Sequence, residues 1–389
     1  MNADLQQQQP ARVLIVGGGV AGLETLLALE DLAGDRVALT LLCPDEEFFY
    51  RPLAVETPFA GHGGGRYPIA PAVKESGAEW AHDRLRSVDV AAQSVATKEG
   101  ASILYDYLVL ALGAKTQSDF ADVTVFDAGA ADEVLHGLVQ DLEEGYIHHL
   151  AFVLPAGPTW PLPLYELALM AAERAYSMDV GAVQIHFVTP ETRPLAVFGD
   201  VASEHVSSLL AQARINVHTS ANPSVHKGEV VVDHARPDGE VLKVDRIVTL
   251  PHLEGRSVPG LPQEDGFAPI DEYCRVRGTE NVYAAGDIAS FPIKQGGLAA
   301  QQADVAAGQI AGAAGADVTS APLRPVIRAK LLTGGKPSYL TAELIGNEGF
   351  RSTLSDEPTW DQGNKIAARY LAAYLDHVGE DPAPTRASG

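Results

Sequence analysis

Cysteine is nearly missing from this chain: 389 residues carry two, Cys43 and Cys274. No disulfide scaffold can hold such a protein together, so its stability must come from apolar cores. His148 and His149 are adjacent, which on a strand sends them to opposite faces, and no Cys/His cluster accompanies them; no metal site is expected. No nucleophile–His–acid signature is present either. Positive charge is also scarce. Lys and Arg number 28 against 51 Asp and Glu, a formal net charge of −23. That balance would repel nucleic acid and disfavours simple adsorption to anionic lipid, and it reads as a solvated acidic surface. No continuous apolar run is long enough to span a bilayer. Met1 to Pro10 is polar and glutamine-rich, without the basic and apolar regions of a signal peptide. The expected location is cytoplasmic, with peripheral contact at the inner face of the membrane left open.

Glycine is abundant: 37 residues in a chain that is 46% hydrophobic, long enough for two or three domains with substantial cores. Arg12-Val13-Leu14-Ile15-Val16 reads as a buried strand, and Val20 to Leu32 as a helix rich in Leu and Ala. Between them lies Gly17-Gly18-Gly19-Val20-Ala21-Gly22. In a Gly-x-Gly-x-x-Gly turn between strand and helix, Gly17 permits the tight turn and Gly19 lets backbone approach a pyrophosphate. Gly22 lets the helix pack close to the sheet. The helix N-terminus then offers Val20, Ala21 and their neighbours as N–H donors at the positive end of its dipole.

Two further blocks follow in order. Tyr105 to Ala114 is a strand ending in a small-residue turn, Ala111-Leu112-Gly113. Asn281-Val282-Tyr283-Ala284-Ala285-Gly286-Asp287 is a strand running into a Gly-Asp step, followed by a small-residue helix from about Leu298 to Ala314. Together the three blocks resemble the FAD-dependent pyridine nucleotide-disulfide oxidoreductase superfamily, the flavoproteins with two dinucleotide-binding domains. The resemblance implies an α/β fold: two Rossmann-like domains, the FAD domain discontinuous, plus a C-terminal α+β cap. The expected boundaries are 1–119 and 244–320 for the FAD domain, 120–243 for the second domain and 321–389 for the cap. It also implies that Gly17, Gly19, Val20, Ala21, Gly22, Ala111, Gly113, Gly286 and Asp287 hold FAD, with Asp287 near the ribityl or phosphate region.

Several segments depart from the pattern. Val37 to Leu42 is the second strand, but the place where an acidic residue usually meets the adenosine ribose holds Cys43, with Asp45 and Glu46 just after. Asp45, Glu46 or backbone groups could supply that contact. Glu47 to Leu53, an aromatic cluster running into Arg51-Pro52, looks like the stretch that passes near the flavin in type II NADH dehydrogenases and sulfide:quinone reductases. It reads equally as an apolar plug. Gly61 to Gly65 reads as a flexible loop, and Val88 to Thr97 with Ala101 to Tyr105 as a small antiparallel insert.

In the second domain, Asp132 to Glu144 reads as a helix, with strands at His149 to Leu154 and Val183 to Val188. The second glycine motif is replaced by Pro155-Ala156-Gly157-Pro158-Thr159-Trp160-Pro161-Leu162-Pro163-Leu164-Tyr165-Glu166. Proline offers no N–H to a phosphate, and an indole fills the space that a pyrophosphate would need. NAD(P)H binding is therefore doubtful, and Trp160, Tyr165 and Glu166 become candidates for a substrate face. In this the chain is similar to the sulfide:quinone reductase branch. The cysteine positions that serve sulfide oxidation there are not matched by Cys43 or Cys274, and the Cys-x4-Cys pair of disulfide reductases is missing.

Arg246 to Leu250 returns the chain to the first domain. By resemblance, Ile293-Lys294-Gln295-Gly296-Gly297 runs beside the flavin's pyrimidine end, where the Lys294 cation would stabilise negative charge on reduced flavin. Gln295, Gln301 and Gln302 partly match the glutamines of a quinone signature. Leu323 to Leu332 and Tyr339 to Leu344 read as cap strands, and Lys365 to Leu375 as an amphipathic helix that packs on its own protein or on a membrane. The tail beyond Gly379 reads as disordered. Three functions remain open at this point. The first is an oxidoreductase with non-covalent FAD that moves electrons from a small-molecule donor other than sulfide to a quinone or other acceptor. The second is an NAD(P)H dehydrogenase using Glu166 and Glu191 in a remodelled site. The third is a flavin-binding sensor without turnover. A homodimer is compatible with any of them.

Overall fold

The computed structural model describes residues 9–60, 65–127, 131–179, 183–233, 240–344, 350–360 and 365–379. The glycine loop at 61–64 and the tail beyond 379 lie outside the described residues. Two parallel sheets organise the rest. In the first, the strand order is Val282–Ala284, Tyr107–Leu110, Ala11–Val16, Val37–Leu42 and Glu79–Ala81. Its neighbouring strands Tyr107–Leu110 and Val282–Ala284 lie more than 170 residues apart in the chain, so a late piece of chain completes an early sheet. Strands buried on both faces read as nearly unbroken apolar runs, which is why Val13 to Val16 and Leu108 to Leu110 were legible. The helices Val20–Ala33 and Gly296–Ala313 pack against one another beside this sheet.

The second sheet is also parallel, in the order Thr124–Val125, Arg246–Thr249, His149–Val153, Gln184–Val188 and Ile215–His218. The strand Arg246–Thr249, expected to return the chain to the first domain, instead pairs with His149–Val153, and its Val248 is buried in the second core. A three-stranded antiparallel sheet, Asn222–His226, Glu229–Asp233 and Glu240–Lys243, flanks it. The expected antiparallel insert is present as Leu85–Asp89, Ser94–Thr97 and Ser102–Leu104. Lys115–Gln117 pairs with His252–Glu254 where the chain leaves the first sheet and returns to it.

The C-terminal strands Val326–Leu331, Ser338–Leu344 and Phe350–Ser355 form an antiparallel sheet. Ile327, Ala329, Leu331, Leu340 and Ala342 belong to the core of the second parallel sheet. One helix expectation needs correction. The C-terminal helix spans Leu371–Gly379, not Lys365 to Leu375. Lys365 to Tyr370 is non-helical, because the N–H groups of Arg369, Tyr370 and Leu371 are taken by the Glu24 carboxylate. Ile366, Leu371, Tyr374 and Leu375 are buried in the first core, so the apolar side of this segment faces protein and is not presented to lipid.

Candidate active site

A cavity of about 1310 Å³ runs between the two sheets, along the carboxyl ends of the first sheet's strands. Gly17, Gly18, Gly19, Val20 and Ala21 line its middle. The turn is tight for a reason visible in the backbone. A Cβ on Gly17, at φ +114°, would meet the Ala111 carbonyl oxygen at 2.3 Å, and one on Gly22 would meet the Gly17 carbonyl oxygen at 1.8 Å. A Cβ on Gly19 would meet no protein atom within 4 Å. Gly17 and Gly22 therefore serve packing, whereas Gly19 faces the space a ligand would fill. The helix beyond has no side-chain cap and no acidic residue in its first turn, which leaves its N–H groups available to an anion.

The cavity's charge runs against that of the chain. Ten of the 28 basic residues line it, against seven of the 51 acidic ones. At one end lie Cys43, Asp45, Asp83, Arg84 and Lys98. Cys43 is 1% exposed, and its carbonyl accepts from the Trp80 indole at 3.0 Å. A cationic cleft with a Cβ-free floor and unpaired helix N–H groups fits a dinucleotide such as FAD.

The other end carries the candidates for chemistry. Arg51, Pro52, Trp160, Glu166, Asp287, Lys294, Gln295, Arg328, Lys365 and Ile366 line it, with Ala111, Gly113 and Gly286 alongside. The segment around Arg51 divides its work: Phe48 and Tyr50 before it enter the first core, Ala54 and Val55 after it the second. The segment is thus an apolar plug, and Phe48, Phe49, Arg51, Pro52 and Val55 also line the cavity.

Lys294 donates to the carbonyls of Asp287 at 3.1 Å and Ala289 at 2.5 Å, and its ammonium sits 3.8 Å from the Phe267 ring centroid. Burial lowers its pKa to about 8, with the Asp287 carboxylate opposing that drop. Burial also raises the Asp287 pKa, against the attraction of Arg51 and Lys294. Glu166 is 1% exposed and ion-paired with Lys365, and it accepts from the Leu332 N–H at 2.9 Å. Burial raises its pKa even so, with Lys365 pulling the other way.

Tyr165 does not reach the cavity. Its ring stacks on Phe187, and its hydroxyl donates to Glu191 at 2.6 Å. The three glutamines are occupied within the protein. Gln295 caps the Gly296–Ala313 helix by accepting from the Leu298 N–H, Gln301 bonds to Val326 and Gly297, and Gln302 accepts from the Gly286 N–H at 2.7 Å. Lys365, Arg328 and Arg84 are cavity residues that sequence reasoning missed. The one available hint was Glu166 itself, since a carboxylate in an apolar helix needs a partner.

Burial raises the Cys274 thiol to about 12 and pushes Cys43 upward. Both stay protonated at neutral pH and are poor nucleophiles. At the carboxyl ends of the second sheet there is a pocket of about 200 Å³, walled by Leu154, Pro155, Trp160, Pro161, Pro190 and Pro292 among others. Glu191 on its rim is engaged by Tyr165 and by the Thr189 hydroxyl at 3.1 Å.

The family model described as pyridine nucleotide-disulphide oxidoreductase matches residues 11–144 and 165–309. The chain belongs to this family. It is a flavin-dependent oxidoreductase, and the unmatched stretch between the two blocks contains the proline-rich turn. Among curated relatives of this pyridine nucleotide-disulphide oxidoreductase, a sulfide-quinone reductase of Aquifex aeolicus is 24% identical over 307 residues, 72% of this chain and 69% of that one. An alternative NAD(P)H-ubiquinone oxidoreductase of Arabidopsis thaliana is 26% identical over 343 residues, and the match spans 64% of its length and 76% of this chain. The solved sulfide:quinone oxidoreductase of Aquifex aeolicus superposes with a TM-score of 0.78 at 19% identity, covering 95% of this chain and 90% of that one, which shows a shared fold. No helix among the described residues is long and apolar enough to cross a membrane.

Proposed function

We propose that this oxidoreductase takes electrons from a small-molecule donor other than NAD(P)H and passes them through non-covalently held FAD to a quinone. The observation that carries the donor assignment is the pocket at the second sheet. A second dinucleotide would lie there in a Rossmann-like domain. Its volume of about 200 Å³ is below the usual range for a small-molecule site, roughly 300–1,000 Å³, and proline rings and an indole form its walls. Pro161 and Pro163 remove N–H groups from the start of the helix Leu162–Ser177, where a phosphate would need them. Glu191, which would hold a ribose, is already bonded.

FAD when bound supplies the hydride and electron chemistry. The chain's own residues orient it and manage charge and protons. Gly17 to Gly19 and the following helix N-terminus receive the pyrophosphate, and Asp45 or its neighbours face the adenosine end. Lys294 brings a cation to the flavin end. Glu166 and Lys365 hold a proton in a buried pair at that same end, where reduction of a quinone consumes protons. Among the described residues the cavity lining contains no histidine, and its one cysteine, Cys43, lies at the adenosine end. This supports a cofactor held without a covalent bond. The quinone assignment is supported by the names of the relatives, two of which are quinone reductases. Thr159 and Trp160 line both the large cavity and the small pocket, so the two adjoin at the proline-rich turn.

The test is an anaerobic titration of the purified yellow protein with NADH and NADPH, followed at the long-wavelength flavin band. Bleaching by dithionite but by neither nucleotide is the expected result. Stoichiometric bleaching by either nucleotide would overturn the donor assignment.

A further inference from the structure

The C-terminal segment reaches the cavity through a series of fixed points. Lys365 pairs with Glu166, and the Ile366 N–H donates to the Tyr50 hydroxyl at 2.9 Å. The N–H groups of Arg369, Tyr370 and Leu371 then donate to the Glu24 carboxylate at 2.7, 3.0 and 2.6 Å. Glu24 is fully buried on the helix that starts at the glycine turn. Three charge-assisted bonds on a buried carboxylate are a strong anchor for the N-terminus of the helix Leu371–Gly379. Asp304 lies on the helix Gly296–Ala313, which packs against the Glu24 helix; its Oδ1 is buried with no hydrogen-bond partner, and the Glu24 charge acts on it directly.

Two carboxyl groups can bond to each other only when they share a proton, since an ionised carboxylate has nothing to donate. Glu24 accepts three N–H bonds and Asp304 accepts none of them. The charge therefore rests on Glu24 and the proton on Asp304.

We propose that Glu24 and Asp304 form a proton-sharing latch that positions residues 365–371, and thereby holds Lys365 and Ile366 across the flavin end of the cavity. Both act as positioning residues through Lys365. That this end receives flavin rests on the function proposed above; the latch itself does not.

The latch has a direction in pH. Burial and the neighbouring Glu24 charge raise the Asp304 pKa to about 8, and Arg369 opposes the rise. The other groups facing the pair are the Tyr370 hydroxyl, raised to about 12 by burial, and Asp31 beside it. Between the ordinary carboxylate range and about 8, the folded chain binds a proton that the unfolded one has lost. The latch is thus intact at neutral pH and weakens as pH rises through about 8, when two negative charges meet in one buried site. Arg369 is a single cation and neutralises one of them at most.

Amide hydrogen exchange of the full-length protein tests this, read by mass spectrometry on peptides covering 365–371 and corrected for intrinsic exchange at each pH. In the wild type, protection of this segment falls about tenfold or more as pH rises from about 7 to about 9. In Asp304→Asn the amide donates to Glu24 without a charge, so protection stays level over the same range. Glu24→Gln loses protection at every pH; if it does not fold, the Asp304→Asn comparison decides without it. A level wild-type profile, an Asp304→Asn profile that falls with the wild type, or intact protection in Glu24→Gln overturns the latch. A preparation that proves to bind no flavin would overturn the functional reading instead, and the exchange data would still decide the latch.

Discussion

Glu166 and Lys365 form a buried ion pair between residues 199 positions apart, joining a helix of the second sheet to the C-terminal segment. The Lys365 side chain is 6% exposed and that of Glu166 1%. Removing one partner strands the other in apolar surroundings. Lys365→Met is expected to cost about 3–5 kcal/mol in urea denaturation, and the double variant Glu166→Gln/Lys365→Met to recover most of that loss. A double variant no more stable than the single one would show that the pair is not the source of the cost.

The glycine turn separates packing from ligand binding. Gly22→Ala places a Cβ on the Gly17 carbonyl oxygen and is expected to destabilise the flavin-free protein by about 3 kcal/mol. Gly19→Ala meets nothing in the protein, so it should leave flavin-free stability within about 0.5 kcal/mol of wild type while cutting the bound flavin per chain. Thermal melts of the flavin-free forms, with flavin stoichiometry from absorbance, distinguish the two.

Lys294 carries a charge whose protonation is tied to pH. Its pKa is lowered to about 8, so the cation is present at neutral pH and lost as pH rises through that value. Because the folded state releases this proton earlier than the unfolded chain, the contribution of this group to stability rises with pH between about 8 and the ordinary lysine value. Lys294→Met is expected to lower the two-electron flavin potential at pH 7 by about 30 mV, equivalent to about 1.4 kcal/mol. The gap between variant and wild type closes as pH passes 8. Spectroelectrochemical titration at several pH values reads both effects, and an equal potential at pH 7 counts against a role for this lysine.

Tyr165 gives the opposite expectation. Its hydroxyl bonds Glu191 away from the cavity, so Tyr165→Phe should cost about 1.5–3 kcal/mol of stability and leave flavin reduction rates unchanged. Stopped-flow reduction with the physiological donor or dithionite checks the second part. A large rate effect at unchanged stability would put this residue back at the reaction site.

How far the sequence could be read depended on how local each signal was. The glycine turn, the strand Val37–Leu42 and the Ala111 to Gly113 turn were legible because their geometry is set within a few residues. The helix at Gly296 starts two residues before the small-residue run suggests, because its cap is a glutamine side chain and not one of the usual Ser, Thr, Asp or Asn signals. The C-terminal helix starts six residues later than its apolar spacing suggests, because its cap comes from Glu24, 347 positions away. Tyr165 and Glu166 were both assigned to one substrate face, but successive helical residues point about 100° apart, and Glu166 alone turns to the cavity. Lys365 carried no local mark at all, since its role exists only once three separate stretches of chain have met.

The Glu24 anchor also sets an order in time. A growing chain folds from its N-terminal side as it is made, so the glycine turn with Glu24 emerges well before residues 369–371. Glu24 must then wait for residues 369–371, near the other end of the chain, before its carboxylate is satisfied. Until they arrive, Lys365 and Ile366 are not held against the Glu166 end of the cavity. The order of synthesis thus leaves an interval in which this end of the cleft lies open, and the pairing of residues 369–371 with Glu24 closes it.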